Sequence, residues 1–169
     1  MSLTILSGLV LLAAWWFYSI YAALIQKKNK VKEALASIDV QLKKRYDLIP
    51  NVLFIANKFM EHERSLIEDI TKLRTEALKL QSGNDNIPQK IQLDKDIQSK
   101  MSQLMVSVEN YPQLKSDNTM VQAMETYSEV EEHIAASRRF YNAAVLDLKN
   151  DVDIWQSSMF AQSLGFKAD

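Results

Sequence analysis

The 169-residue chain carries 20 Lys and Arg against 21 Asp and Glu, so it lacks the positive field that gathers nucleic acid, and no nucleic-acid partner is expected. It contains no cysteine, which excludes disulfides and thiolate metal sites. Only three glycines and three prolines are present, a composition that favours long helices over sheets or glycine-rich phosphate loops.

From Leu3 to Ile25 no side chain is charged. At helical rise this stretch covers about 34 Å, enough to cross the hydrocarbon core of a bilayer. Residues 1–27 therefore read as a retained transmembrane anchor. A cleaved signal peptide fits less well, because no basic residue precedes the apolar run and Trp15, Trp16, Phe17 and Tyr18 stand where a small-residue cleavage site would lie. Leu3, Leu9, Trp15, Trp16, Tyr18, Tyr21 and Ile25 are the residues expected to meet lipid. Lys27, Lys28, Lys30 and Lys32 flank the span on its carboxyl side only, which predicts a single pass with the amino terminus outside and the body in the cytoplasm. Trp15 and Trp16 lie nearer the middle of this span than an interfacial belt prefers, so packing against a neighbouring helix is expected of them.

Residues 28–169 carry apolar stripes at spacings of three and four. The first holds Val31, Leu35, Ile38 and Leu42. The second, nearly a coiled-coil heptad series, runs from Leu48 through Val52, Ile55, Phe59, His62, Leu66, Ile70 and Leu73 to Ala77 and Leu80. "QSGNDN" breaks it at a Gly83 cap, and Pro88 opens a third stripe through Ile91, Ile97, Met101, Leu104 and Val108. Pro112 disfavours helix at Tyr111, and Ser116 or Asp117 can cap a fourth stripe from Val121 to Trp155. The expected helices are about 28–46, 47–81, 87–109 and 117–155, followed by a short tail. The fold class is all-α: an N-terminal transmembrane helix, then an antiparallel up-and-down four-helix bundle with long helices.

Within "IDVQLKKRYDLIPN" (38–51), Asp47 can cap a new helix that holds Pro50 in its first turn, which makes the proline a corner. A continuous helix kinked at Pro50 is the alternative. Lys43, Lys44 and Arg45 would then end the preceding helix, as solvated charges favoured by its carbonyls or as contacts for an anionic partner. Arg138 and Arg139 interrupt the fourth stripe, and a buried polar network with Asp39, Asp47 or Glu109 is expected for them, with an anion or lipid headgroup as the other reading.

The runs "IDVQLKKRYDLIPNV" (38–52), "HERSLIEDITKLRTEA" (62–77), "ENYPQLKS" (109–116) and "ASRRFYNAAV" (136–145) closely resemble the LemA family of bacterial membrane-anchored helical proteins. Asp39, Arg45, Tyr46, Asp47, Pro50, Asn51, His62, Glu109, Tyr111, Pro112, Arg138, Arg139, Tyr141 and Asn142, all in or beside these runs, form the expected structural and interaction network. Ala36 stands where many relatives have tryptophan, and Trp155–Gln156 where an aromatic–proline pair is usual. The resemblance implies a long helical bundle behind an anchor in the bacterial cytoplasmic membrane. It brings no defined chemistry, and some relatives are associated with building internal membrane compartments.

Nothing in the sequence assembles a catalytic set. "HERSL" is not His-Glu-x-x-His, and neither His62 nor His133 has a glutamate three residues before it as di-iron bundles require. His62 reads as a core or rim histidine, His133 as a surface one near Glu129, and no Gly-x-Ser-x-Gly turn occurs. No metal or cofactor is expected. The apolar residues Phe54, Met60, Ile67, Met105 and Phe160, off the main stripes, supply either contacts to other molecules or wider core faces. The expected function is a non-enzymatic, homo-oligomeric membrane scaffold whose partner is the lipid bilayer. A tethered adaptor for another membrane protein is the alternative.

Overall fold

The computed structural model describes residues 2–81 and 87–154. The Gly83 cap, the Trp155–Gln156 pair, Phe160 and the tail, together with the side chain of Leu3, lie outside the described residues. The described residues are helical throughout apart from short turns: α1 (Ser2–Ala56), a 3₁₀ turn (Glu61–Glu63), α2 (Arg64–Gln81), α3 (Ile87–Val108), the one-turn α4 (Pro112–Lys115) and α5 (Asn118–Asp153). The chain forms two compact units, residues 1–40 with 134–169, and residues 41–133. Both α1 and α5 contribute to each. Helix α1 runs on past residue 27 without a break.

The corner expected at Asp47 is absent. Helix α1 continues through Pro50, and the chain turns only after Ala56, where Phe59 and Met60 donate from their amides to the Ala56 carbonyl at 3.0 and 2.9 Å. Two features explain the continuation. Ile49, Val52, Leu53, Ile55 and Ala56 are all buried, so ending the helix at residue 46 would forfeit its most apolar face. Pro50 itself is exposed, so its ring stands on the solvent side. The true turn is plugged by Met60, buried with backbone φ −113° and ψ 63°. His62, assigned by spacing to the core stripe, is exposed in that turn. The break after Ala56 shifts the helical phase, and the stripe resumes with Leu66, Ile67 and Ile70.

In the unit of residues 41–133, segments of α1, α2, α3 and α5 enclose one core. Its central members are Ile49, Val52, Ile70, Ile97, Met101, Leu104 and Met120, capped by Leu114 from α4. Successive helices run antiparallel: Arg74 of α2 bonds back to Tyr46, Lys100 of α3 back to Asp69, and Gln98 to Glu131 of α5. The break at Tyr111 and the start at Pro112 fall where proline chemistry places them. Asp117 is the cap of α5, its Oδ1 accepting from the Met120 amide at 2.9 Å. Of the off-stripe residues, Met60 and Ile67 are buried and Met105 packs against the core, so they widen the core face. Phe54 is exposed.

In the unit of residues 1–40 with 134–169, the described part is a two-helix hairpin. Lys27 pairs with Asp151 at 2.7 Å, and the Ser37 and Ser137 hydroxyls meet at 3.2 Å. Leu24 and Leu148 are buried against Ile20, Ile25, Val31 and Val152. Ala34 rather than Leu35 faces inward, and Leu35 is exposed.

Candidate functional site

Two regions stand out chemically, one in each unit. The first is the apolar segment of α1. Ile5, Leu6, Leu9 to Leu12, Trp15, Trp16, Phe17, Tyr18 and Tyr21 are all exposed, a contiguous apolar surface that water does not tolerate at this size. Among the described residues, one helix is long and apolar enough to cross a membrane, and this is its apolar part. Ile25 is half-buried in the hairpin. Of the flanking lysines, Lys28, Lys30 and Lys32 are exposed, Lys30 lying 5.7 Å from the Phe140 ring, while Lys27 is drawn to Asp151 and the Asp147 carbonyl.

The second region is a polar cluster inside the 41–133 unit. Arg45, expected at a helix end as a solvated charge or a contact for an anionic partner and named in the structural network by resemblance, is fully buried. Its position in the middle of α1 points it at the core, where it pairs with Asp94 of α3, itself 2% exposed, and with Glu131 of α5 at 2.9 Å. Gln98 also reaches Glu131, at 3.5 Å. Two carboxylates around one guanidinium satisfy the strict requirement that a buried charge be paired. Beside them the Tyr127 hydroxyl is buried and lacks a hydrogen-bond partner among the described residues. Burial, with the Glu131 carboxylate acting in the same direction against the opposing pull of Arg45, pushes the phenol well above its ordinary range.

Tyr46, next to Arg45, is buried and ties α1 to α2. Pro50 has no amide hydrogen, so the Tyr46 carbonyl four residues before it loses its helical donor. The Nε of Arg74 supplies one, donating to that carbonyl at 2.6 Å. The stretch that opened as a candidate corner thus braces α1 against α2, α3 and α5.

The remaining sequence-predicted residues do not join this cluster. Asp39, Asp47, Asn51, Glu109, Arg138, Arg139 and Asn142 are exposed, and Tyr111 and Tyr141 half-buried. Arg138 and Arg139 are consequently not the buried arginines expected of them; Arg45 takes that role because its helical phase, unlike theirs, faces the core. Glu109 pairs with Lys115 across the α4 turn, helping Pro112 fix that connection. Sequence reading missed Arg74, Asp94 and Glu131, and Tyr127 entered it only as a member of the fourth apolar stripe. A signal existed for Arg45 and Asp94. Ile38, Leu42, Arg45, Ile49, Val52 and Ala56 follow spacings of four and three, as do Asp94, Ile97, Met101, Leu104 and Val108, so each charge sits on a buried stripe once its helix is continuous.

Among the described residues, no three His, Asp or Glu side chains converge as a metal site requires. The surface has shallow grooves. One of about 600 Å³ lies between α1 and α2, lined by Pro50, Leu53, Phe54, Arg64, Ile67 and Arg74 among others. In it the exposed Phe54 ring carries Lys58 at 4.4 Å, a cation–π contact.

No curated protein matches the chain. The LemA family profile matches residues 34–169, a range that takes in the Arg45 cluster, the Pro50–Arg74 contact and the Pro112 turn. By that match, over most of its length, the chain belongs to the LemA family.

Proposed function

We propose that this protein is a non-enzymatic, single-pass membrane scaffold. The α1 apolar segment spans the bacterial cytoplasmic membrane with its amino end outside, and the helical body in the cytoplasm assembles with further copies to organise the bilayer. The observation that carries the reading is the exposed apolar surface from Ile5 to Tyr21, continuous within one helix with the charged, core-forming part of α1. A lipid environment removes the penalty of that exposure. Lys27, Lys28, Lys30 and Lys32 on the carboxyl side support the orientation. The buried Arg45 brace supports a rigid body.

The test is to purify the full-length protein in detergent and in lipid discs and image single particles. Uniform rings, shells or arrays support the scaffold, and a protein that stays monomeric at high concentration in both overturns it. An adaptor for another membrane protein is the second reading. It is favoured by the groove beside Phe54, where an exposed aromatic ring, an apolar floor and two arginines lie together. A monomer that forms a one-to-one complex with a membrane protein, lost in Phe54→Ala, would decide for it.

A further inference from the structure

The depth at which the chain sits in the bilayer follows from what α5 places beside α1. The hairpin brings Leu148 against Leu24 and, one turn further along, Val152 into the cluster that holds Ile20. Two charged residues accompany this end of α5: Asp151, paired with Lys27, and the exposed Asp153. In an antiparallel pair these carboxylates stand level with the stretch from about Ile20 to Leu24. If hydrocarbon extended to Ile25, as the uncharged run alone implies, it would surround Asp153 and the Lys27–Asp151 pair, and ionised side chains are not tolerated against lipid tails.

Resting on the membrane-anchor reading, we infer that the end of α5 acts as a depth stop: the hydrocarbon boundary lies near Ile20, and the α1 surface around it, with the end of α5, is a binding surface for the lipid headgroup layer. The span that remains is sufficient, because Ser2 to Ile20 covers about 28 Å at helical rise, close to the roughly 30 Å of a hydrocarbon core. The shift also accounts for the aromatics. Tyr18 and Tyr21, exposed on α1, fall at the boundary, and Trp15 and Trp16 lie about one turn, or 5.4 Å, deeper. Tyrosine and tryptophan, with an apolar body and a polar edge, are enriched at that level. Measured against a span ending at Ile25, the same tryptophans sit at the bilayer centre. Lys28 and Lys149, both exposed, are then placed on the water side, where phosphate groups lie.

The absence of native cysteine makes the test direct. Single variants Leu12→Cys, Tyr21→Cys, Ala23→Cys, Gln26→Cys and Ile154→Cys, all at exposed positions, are placed in lipid nanodiscs of phosphatidylethanolamine and phosphatidylglycerol, with both faces open to a water-soluble maleimide. Leu12→Cys should be protected, while Tyr21→Cys, Ala23→Cys and Ile154→Cys should react about as fast as Gln26→Cys. Protection of Ala23→Cys and Ile154→Cys with Gln26→Cys still reactive would overturn the depth stop and leave the anchor standing. Rapid reaction of Leu12→Cys as well would overturn both.

Discussion

Arg74 donates from its Nε to the carbonyl of Tyr46 at 2.6 Å, the carbonyl that Pro50 leaves without a helical donor. The two unusual residues therefore compensate each other across the α1–α2 contact. Replacing Arg74 by methionine keeps most of its stem but removes the side-chain donor to this part-buried carbonyl, which costs about 1–3 kcal/mol. In a Pro50→Ala background the backbone amide regained at that position can bond to Tyr46, so the same replacement should cost less. A double-mutant cycle by thermal or urea unfolding of the full chain in detergent is expected to show a coupling of about 1 kcal/mol. Additive effects would mean that Arg74 acts elsewhere.

Arg45 should be the most sensitive polar position in the body. Arg45→Met removes the guanidinium that faces Asp94, and leaving a carboxylate buried without its counter-charge costs about 3–5 kcal/mol. Because the loss is chiefly a stranded charge, the double variant Arg45→Met with Asp94→Leu should recover most of it. Glu131, partly exposed, can stay hydrated in that variant. Circular dichroism melts of the three proteins check this, and a double variant no more stable than Arg45→Met would contradict it.

Much of the fold was legible because burial imposes spacing. The stripes located the helices, Pro112 located the break after α3, and Asp117 was one of two named caps. Taken locally, Pro50 favours a corner at Asp47, but the alternative of a continuous helix is the one that forms, because the apolar face on either side of the proline outweighs one missing hydrogen bond that another helix replaces. Arg45, which the family resemblance includes in the structural network, takes a different local reading for the same reason. At a helix end a cation reads as solvated, and in mid-helix the same residue lies on the core stripe. Its partners Asp94 and Glu131 come from helices far along the chain, so no local pattern pairs them. Arg138 and Arg139 misled for the converse reason, since an interrupted stripe can mean an exposed face as readily as a buried charge.

Asp69 and Lys100 tie α2 to α3 at 2.9 Å on the surface. The hydrogen bond and charge of Lys100 hold the Asp69 carboxyl below its ordinary 3.8. A lowered folded value means that the contribution is complete above pH 3.8 and is lost as pH falls from there through the lowered value. Asp69→Asn should therefore melt slightly lower than the parent at pH 6 and converge with it in strong acid. The pair is solvent-exposed, so the gap should shrink in 1 M salt. A gap that persists unchanged in acid would exclude the ion pair as its source.

Tyr127 offers the opposite sign. Its hydroxyl is buried without a partner among the described residues, and burying an unsatisfied hydroxyl works against folding. Tyr127→Phe keeps the ring in the core, beside Arg45 and Glu131, and should be neutral or stabilising by up to about 1 kcal/mol near pH 7. At alkaline pH the phenol of the unfolded chain ionises around its ordinary 10.0, whereas in the folded chain it stays protonated, its value raised by burial. The unfolded state is thereby favoured, so the parent loses stability as pH rises above 10.0. Tyr127→Phe removes this contribution, and its melting temperature should fall less steeply across that range. Ultraviolet titration of phenolate supplies the independent check: the parent should show one more tyrosine that ionises only on unfolding than the variant does. A Tyr127 that titrates with the exposed tyrosines would place its hydroxyl in water and remove the basis of both expectations.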